Sequence, residues 1–501
     1  MAKAIMIQGT CSNAGKSLFA AALCRVFRED GFRVAPFKSQ NMALNSAVTP
    51  DGLEIGRAQA MQAEAAGIAP DVRMNPILLK PNSDTGSQLV LCGKPVGDYS
   101  AIEYQKKKRE LLSEVLKAYH SLAAEQDIIV IEGAGSPAEI NLRADDIVNM
   151  GLAEAVDAPV ILIGDIDRGG VFAALYGTVK LLSEAEQARI KGLVINKFRG
   201  DIKILEPGLR QIEALTEKPV LGVLPYRHFD LEDEDSLSER LRKTEREADA
   251  LLRIAVIRLP RLSNFTDFDP LQAAPEVALS YVSSPAEIGD ADLLILPGSK
   301  STLEDLAWLK AQGFDTCIRD FAVSGRPVLG ICGGYQMLGT TLCDEESGVE
   351  AAGLKLLPVD TVFYAAKQTV CAAGEITVSS GFWAALAWQK TEGYEIHMGQ
   401  SWIGKDGENF QRLSAREDSK RQRADGCVAG AVCGSYLHGL FDEVGVTETL
   451  LKALAARKGL SYPHRLKSRR ERQEEGFRLL SQTLREHFDL RGLYRIMGVE
   501  R

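Results

Sequence analysis

No two of the nine cysteines in this 501-residue chain form a Cys-x-x-Cys pair, and the nine are scattered. An odd, dispersed set speaks against a disulfide framework and against a structural zinc site. Long apolar runs are missing too. No charge-free stretch reaches the roughly 18 residues a membrane helix needs, and the run 426–441 carries four glycines and His438. Met1-Ala2-Lys3 leads directly into an apolar strand and a glycine loop, so no secretory signal is expected. Excess basic charge is absent: 59 Lys and Arg stand against 68 Asp and Glu, a net charge of −9, which argues against a nucleic-acid partner. What is present is average for a globular chain, 45% hydrophobic and 25% charged, which excludes disorder and a fibrous repeat. The length suggests roughly three domains. The expectation is a cytoplasmic, enzyme-like protein with neither membrane nor nucleic acid as partner.

Short runs rich in Val, Ile and Leu recur through the first half: Ala4–Gln8, Val34–Phe37, Ile128–Ile131, Val160–Ile163, Gly192–Ile195 and Val220–Val223. Helix-compatible stretches separate them, the pattern of buried parallel strands with crossover helices in a doubly wound α/β sheet. From Phe229 to Ala250 the composition turns polar, with Asp230, Glu232, Asp233, Glu234 and Asp235 in one cluster, and reads as an exposed linker. A second α/β series begins with Ile254–Ile257, Leu293–Leu296 and Val328–Ile331. From Val446 onward the pattern is helical, with 13 basic against 7 acidic residues. Its densest basic stretch, Arg465–Arg472, reads either as a solvated helix face or as an anion contact. The expected division is 1–228, a linker at 229–250, 251–445, and a helical extension at 446–501.

The first strand run opens into Gly9-Thr10-Cys11-Ser12-Asn13-Ala14-Gly15-Lys16-Ser17, followed by the helical stretch Leu18–Phe27. A glycine-rich turn between strand and helix points successive N–H groups at phosphate, and the helix N-terminus adds positive potential. Lys16 is placed to reach the β- and γ-phosphates of ATP, and the Ser17 hydroxyl to join Mg²⁺. Five residues separate Gly9 from Gly15 where four are usual, an expansion that leaves the physics intact. Gly9, Thr10, Asn13, Ala14, Gly15, Lys16 and Ser17 are the candidate nucleotide ligands. A metal also needs a carboxylate at a neighbouring strand end. The run Ile128–Ile131 ends in Glu132, followed by Gly133-Ala134-Gly135, and makes Glu132 that candidate; the alternative is a structural strand-end carboxylate. Asp165 is a second candidate. Asn196 and Lys197, after another strand, are placed to meet the adenine base, or else form a plain strand-to-loop turn.

The second strong signal is Arg326-Pro327-Val328-Leu329-Gly330-Ile331-Cys332-Gly333-Gly334-Tyr335-Gln336. Gly-x-Cys-x-Gly between an apolar strand and a helix is the thiol form of a nucleophile elbow, and the helix N-terminus favours the thiolate. Such a thiol needs a base. His438, in Ser435-Tyr436-Leu437-His438-Gly439-Leu440-Phe441, is the candidate, and His397 reads as its structural competitor. Leu293–Leu296 ends in Pro297-Gly298-Ser299-Lys300. The backbone N–H groups of Gly298 and Gly333 are the candidate oxyanion donors, with an ordinary turn as the alternative at Gly298.

With Pro-Gly-Ser-Lys, the cysteine elbow and Tyr-Leu-His-Gly-Leu-Phe, the second half resembles a class I (triad-type) glutamine amidotransferase domain. The first half resembles dethiobiotin synthetase, whose phosphate loop has the same expanded spacing. Together with Pro36–Ser46 and Glu132–Leu142, the pairing resembles the glutamine-hydrolysing cobyric acid synthases of the cobalamin pathway, over nearly the whole chain. These two motifs favour that family over the sister cobyrinate a,c-diamide synthases. The resemblance implies that Cys332 attacks the side-chain amide of glutamine while His438 moves protons. It implies that ATP with Mg²⁺ activates substrate carboxylates in the first half, and that released ammonia travels between the sites. The implied substrate is a corrinoid, adenosylcobyrinic acid a,c-diamide, amidated at its b, d, e and g arms and bringing its own cobalt. Gln40, Asn41 and Asn45 would then face the corrinoid, as would Asp145 and Asp146 unless these cap a helix. Triad-type domains generally carry a Glu two residues after the histidine; here that residue is Leu440. The cobalamin-type subgroup shares this lack, which leaves a Cys–His dyad or Asp442 as orienting carboxylate. Competing readings are an amidotransferase acting on a cell-wall carboxylate and, from another class, a partitioning-type ATPase switch, in which the Cys332 elbow has no place.

Overall fold

Strands apolar on both faces are stable only when helices cover both sides of their sheet, and the computed structural model has that arrangement twice. It describes residues 2–83, 85–232, 250–416 and 418–500. The chain divides into two compact units, one from Met1–Met42, Glu54–Glu232 and Arg472–Arg501, the other from Ala43–Leu53 and Asp233–Glu471.

In the first unit six parallel strands lie in the order Val220–Pro225, Ile190–Phe198, Val160–Asp165, Lys3–Gly9, Ile128–Glu132, Val34–Phe37. All six expected runs are in this sheet. Lys3–Gly9 is central, and the register sets Ile7 beside Glu132 and Gly9 beside Ile163. The carboxyl ends of neighbouring strands therefore open on one edge, where α/β sheets bind ligands. A smaller sheet, Gln40–Met42, Ile77–Pro81, Gly86–Leu91 and Lys94–Ser100, leads into the helix Ala101–Ala123.

The second unit has five parallel strands, Val277–Val282, Leu252–Ile257, Leu293–Leu296, Val328–Ile331 and Val432–Ser435. The sheet continues antiparallel through Asp418–Ala429, Glu408–Ala415 and Val359–Ile376, and the long strand Lys390–Ile403 pairs with the last of these. Among the described residues no helix is long and apolar enough to cross a membrane.

Two of the expected boundaries differ in the structure. Most of the expected linker, residues 233–249 with Asp233, Glu234 and Asp235, lies outside the described residues. Residues 43–53, read as part of the first domain, cluster with the second unit. The expected extension 446–501 is not one body. Its first helix, Val444–Arg457, buries Val446, Leu450, Leu451 and Leu454 in the core of the second unit. The helices Arg469–His487 and Leu490–Met497 return to the first unit, because Phe477, Leu480, Leu484 and Phe488 form an apolar stripe that needs cover. Phe488 meets Phe19 edge-on at 5.3 Å and Tyr494 meets Phe27 at 5.7 Å, while Arg485 and the Tyr494 hydroxyl bind Asp30 at 2.9 and 2.5 Å. In the basic stretch Arg469 pairs with Asp442 at 3.8 Å and Arg472 with Asp230 at 3.7 Å.

Truncating a core aromatic costs roughly 3–5 kcal/mol. Phe488→Ala is expected to lower the urea unfolding free energy of the first unit by about that amount, whereas Leu460→Ala, at an exposed position, should change stability by less than about 0.5 kcal/mol.

Candidate active sites in the two units

At the end of the central strand the Thr10 N–H bonds Ile163 O at 2.9 Å, and the loop turns through Asn13 (φ 61°) and Gly15 (φ 99°) into the helix Lys16–Glu29. Gly15 has no room for a side chain: a Cβ there would run into the Asn196 amide. Asn196 lies under the loop and donates to Ala14 O at 2.9 Å. Lys197 donates to Asn13 O at 2.8 Å and pairs with Asp165 at 2.9 Å. The nitrogens of Asn196 and Lys197 are thus committed to bracing the loop. Asp165, the second metal candidate, is taken up by Lys197 and by the Asp167 N–H.

Lys16 reaches back across the loop to Cys11 O at 2.9 Å and Gly135 O at 3.0 Å. The Ser17 hydroxyl donates to Glu132 Oε1 at 2.8 Å. Two residues that sequence reasoning passed over complete the cluster. Lys38 Nζ pairs with Glu132 Oε1 at 2.9 Å, and Gln62 Nε2 donates to Glu132 Oε2 at 2.6 Å. Lys38 and Glu132 are both buried, so each charge depends on the other. The signal for Lys38 was in the chain: it directly follows a buried strand that lies beside the one ending in Glu132. The Ser17 hydroxyl and Glu132 carboxylate, hard oxygen donors in contact at a helix start, fit a Mg²⁺ ion.

The five residues expected to face a corrinoid have different partners. Gln40 Oε1 accepts the Tyr104 hydroxyl at 2.5 Å and is half-buried. Asn41 is buried and bound to Gln59 at 2.9 Å. Asn45 lies inside the second unit, its Oδ1 accepting the Phe265 N–H at 3.2 Å. Asp145 pairs with Arg109. Asp146 accepts from the N–H groups of Val148, Asn149 and Gly151, which makes it the helix-start cap of the alternative reading. Those three donors fix the Asp146 carboxylate at the turn.

In the second unit Cys332 sits on the strand-to-helix corner with φ 51° and ψ −107°, its N–H bonded to Ser435 O at 2.8 Å. The corner closes only because Gly334 lacks a Cβ, which would strike Leu296 O. A Cβ on Gly333 would stand 2.8 Å from Ser299 N, so these two backbone segments converge beside the thiol. Gly298 pairs with Ser263 in a short antiparallel ribbon and lies against the His438 ring. The convergence adds the Ser299 amide to the oxyanion candidates Gly298 and Gly333.

The thiol of Cys332 interacts with His438. His438 Nδ1 is 2.7 Å from Asp267 Oδ2, and the other oxygen of Asp267 accepts the Gly439 N–H at 3.1 Å. Asp267 is therefore the orienting carboxylate, and the expected alternatives, a bare dyad or Asp442, give way to it; Asp442 pairs with Arg469 instead. Burial alone would strip the proton from His438. The Asp267 carboxylate and the Cys332 sulfur outweigh it and raise the imidazolium pKa to about 10. Asp267 escaped sequence reading because it precedes the histidine by 171 residues. Its one trace was an acid between Phe265 and Phe268, both buried, where an unmatched charge could not stay. Asn45 and Asn264 hold this segment, the latter by accepting the Ser46 N–H at 3.0 Å.

The strand Lys390–Ile403 walls the site. Tyr394 exchanges backbone hydrogen bonds with His438 and stacks on its ring at 5.3 Å, Ile396 O accepts from Cys332 Sγ at 3.5 Å, and Met398 O accepts from Gln336 at 3.0 Å. His397 is the structural histidine: burial lowers its pKa to about 4, its Nδ1 lies 3.1 Å from Gly399 O, and it stacks on Tyr436 at 3.8 Å.

Comparison with known proteins finds two family models. Residues 5–236 match a CobQ/CobB/MinD/ParA nucleotide binding domain and residues 253–446 a CobB/CobQ-like glutamine amidotransferase domain. Curated relatives named cobyric acid synthase match end to end. The one from Ruminiclostridium cellulolyticum is 52% identical over 100% of this chain and 98% of its own. Those from Photorhabdus laumondii and Salmonella agona are 51% and 50% identical, covering 100% and 99% of this chain and 99% of each relative.

Asp267→Asn should slow glutamine hydrolysis by roughly 10²- to 10⁴-fold, since the imidazole loses both orientation and charge support. Stability gives a second readout. The folded-state pKa of His438 is raised from 6.5 to about 10, so its stabilisation is complete below about pH 6.5 and is lost as pH rises toward 10. The gap in unfolding midpoint between wild type and Asp267→Asn is therefore expected to shrink between pH 7 and pH 10.

Proposed function

The chain belongs to the cobyric acid synthase family of amidotransferase ligases in cobalamin biosynthesis, and from that premise we propose a specific reaction and division of labour. The substrate is adenosylcobyrinic acid a,c-diamide, and its b, d, e and g carboxylates become amides at the expense of glutamine and ATP. The observation that carries this is the Cys332–His438–Asp267 chain on an elbow, in one polypeptide with a phosphate loop whose serine contacts a buried strand-end carboxylate.

In the second unit the Cys332 thiolate attacks the glutamine side-chain amide. The developing oxyanion is met by backbone N–H groups around Gly298, Ser299 and Gly333, and His438 gives its proton to the departing ammonia. His438 then deprotonates water, which cleaves the thioester to glutamate and frees the thiol. In the first unit the γ-phosphoryl group of ATP passes to a corrinoid carboxylate, and ammonia displaces phosphate from the acyl phosphate to leave the amide. Lys16 leaves its carbonyl partners for the phosphates, and Lys38 holds Glu132 in place. Mg²⁺ held by Ser17 and Glu132 would supply neutralisation of phosphate charge. Ammonia must reach the acyl phosphate without being protonated, which calls for an enclosed route. This reading assigns the synthetase chemistry to 1–228 and the glutaminase to 251–445, in the cytoplasm where ATP and glutamine are made.

Incubation with ATP, Mg²⁺, glutamine and the diamide should give four successive mass losses of about 1 Da each, one per exchange of hydroxyl for amino group. Cys332→Ser should abolish the glutamine-driven reaction yet retain amidation from ammonium salt, whereas Lys16→Met should abolish both. Two amidations of unamidated cobyrinic acid, with the diamide left untouched, would instead assign the a,c-diamide synthase activity.

A further inference from the structure

The helix Ala101–Ala123 begins with a capping box between Ser100 and Glu103 and carries Tyr104 and Lys108 one turn apart on the same face. Tyr104 binds Gln40. Lys108 is buried, with 7% of its surface exposed, and its Nζ lies 6.0 Å from the centre of the Tyr104 ring. Among the described residues it has no hydrogen-bond acceptor and no ion-pair partner. Two acids lie within electrostatic range, Asp146 and Asp145, but the first is held by three backbone donors and the second is paired with Arg109. Burial outweighs their pull and holds the Lys108 pKa below the usual lysine range.

The stem of Lys108 is packed away while its ammonium has no acceptor among the described residues, so the charge is available to an arriving anion. The segment after Asp146 is tied by hydrogen bonds toward the phosphate loop. The Ser39 hydroxyl donates to Ile147 O at 2.7 Å, Asn149 donates to Ala134 O at 2.7 Å, and the next carbonyl, Gly135 O, is the one that receives Lys16. The segments that hold Gln40, bound to Tyr104, and Asp145, within electrostatic range of Lys108, expose large apolar side chains, Met42 on one and Ile140 and Leu142 on the other. Cationic depth with an apolar rim suits a bulky nonpolar ring system that carries carboxylate arms.

We propose that Lys108 binds a carboxylate arm of the acidic substrate in the first unit and so distinguishes arms still to be amidated from those already converted. The assignment rests on the proposed corrinoid reaction. An amide offers the same shape without the charge, so product arms lose this contact and leave.

The test compares binding of cobyrinic acid a,c-diamide with that of cobyric acid, in which those arms are already amides, by titration against wild type, Lys108→Met and Lys108→Arg. Wild type should prefer the acid by about 10-fold or more, the range of a charge-assisted hydrogen bond. Lys108→Met should weaken the acid about 10-fold and leave the amide unchanged, and Lys108→Arg should restore part of the preference. The thermal midpoint of Lys108→Met should equal or exceed that of wild type, because a buried charge has been removed. Retained preference in Lys108→Met, or equal weakening of both ligands with a lower midpoint, would overturn the role of Lys108 alone. A wild type that amidates no corrinoid acid and binds none overturns this assignment together with the proposed reaction.

Discussion

A carboxylate buried at the end of a strand or inside a core must have its charge matched, and both units are organised around one such group. Glu132 is matched by Lys38, Gln62 and the Ser17 hydroxyl. Asp267 is matched by the His438 imidazole and the Gly439 N–H. Take either carboxylate away and its cationic partner is left in a medium that cannot solvate it. The same pairing that satisfies the burial requirement also sets the chemistry. It fixes a serine hydroxyl at the phosphate loop, and it keeps an imidazole oriented and protonated against a thiol.

Close approach of backbones is the second constraint on both sites. The phosphate loop folds over Asn196 because Gly15 carries no side chain, and the cysteine corner closes on Leu296 because Gly334 carries none. In each case a turn at the carboxyl end of a parallel strand brings functional atoms to the open edge of the sheet. The positive φ of Cys332 is local strain held in place by the bond from its N–H to Ser435 O. The first unit adds a contrasting case in Lys108, a buried cation whose matching charge we assign to the ligand.

Much of this was legible beforehand, for reasons that can be named. The six strands of the first sheet announced themselves as short apolar runs, since strands buried on both faces are built mostly from Val, Ile and Leu. The phosphate loop and the cysteine elbow are contiguous motifs, so adjacency in the chain stands in for adjacency in space. Asn45 and Asp146 show where that substitution fails. Asn45 belongs to the same polar run as Gln40 and Asn41, yet it clusters with the second unit and bonds Phe265. For Asp146 the sequence left ligand and cap both open, and backbone N–H groups take its oxygens. The C-terminal helices were visible as helices, but their apolar stripe did not name the surface it would cover.

Local patterning, then, was enough for the α/β class, the two motif-bearing turns, and the candidate thiol and imidazole, because each is encoded within a dozen consecutive residues. Folding in three dimensions chose the partners: Asp267 for His438, Lys38 and Gln62 for Glu132, and the first unit for the last two helices. Those choices depend on which strand lies next to which and on which charges end up away from water. Electrostatic matching acts over a few ångströms of space, and no spacing along the chain reports it.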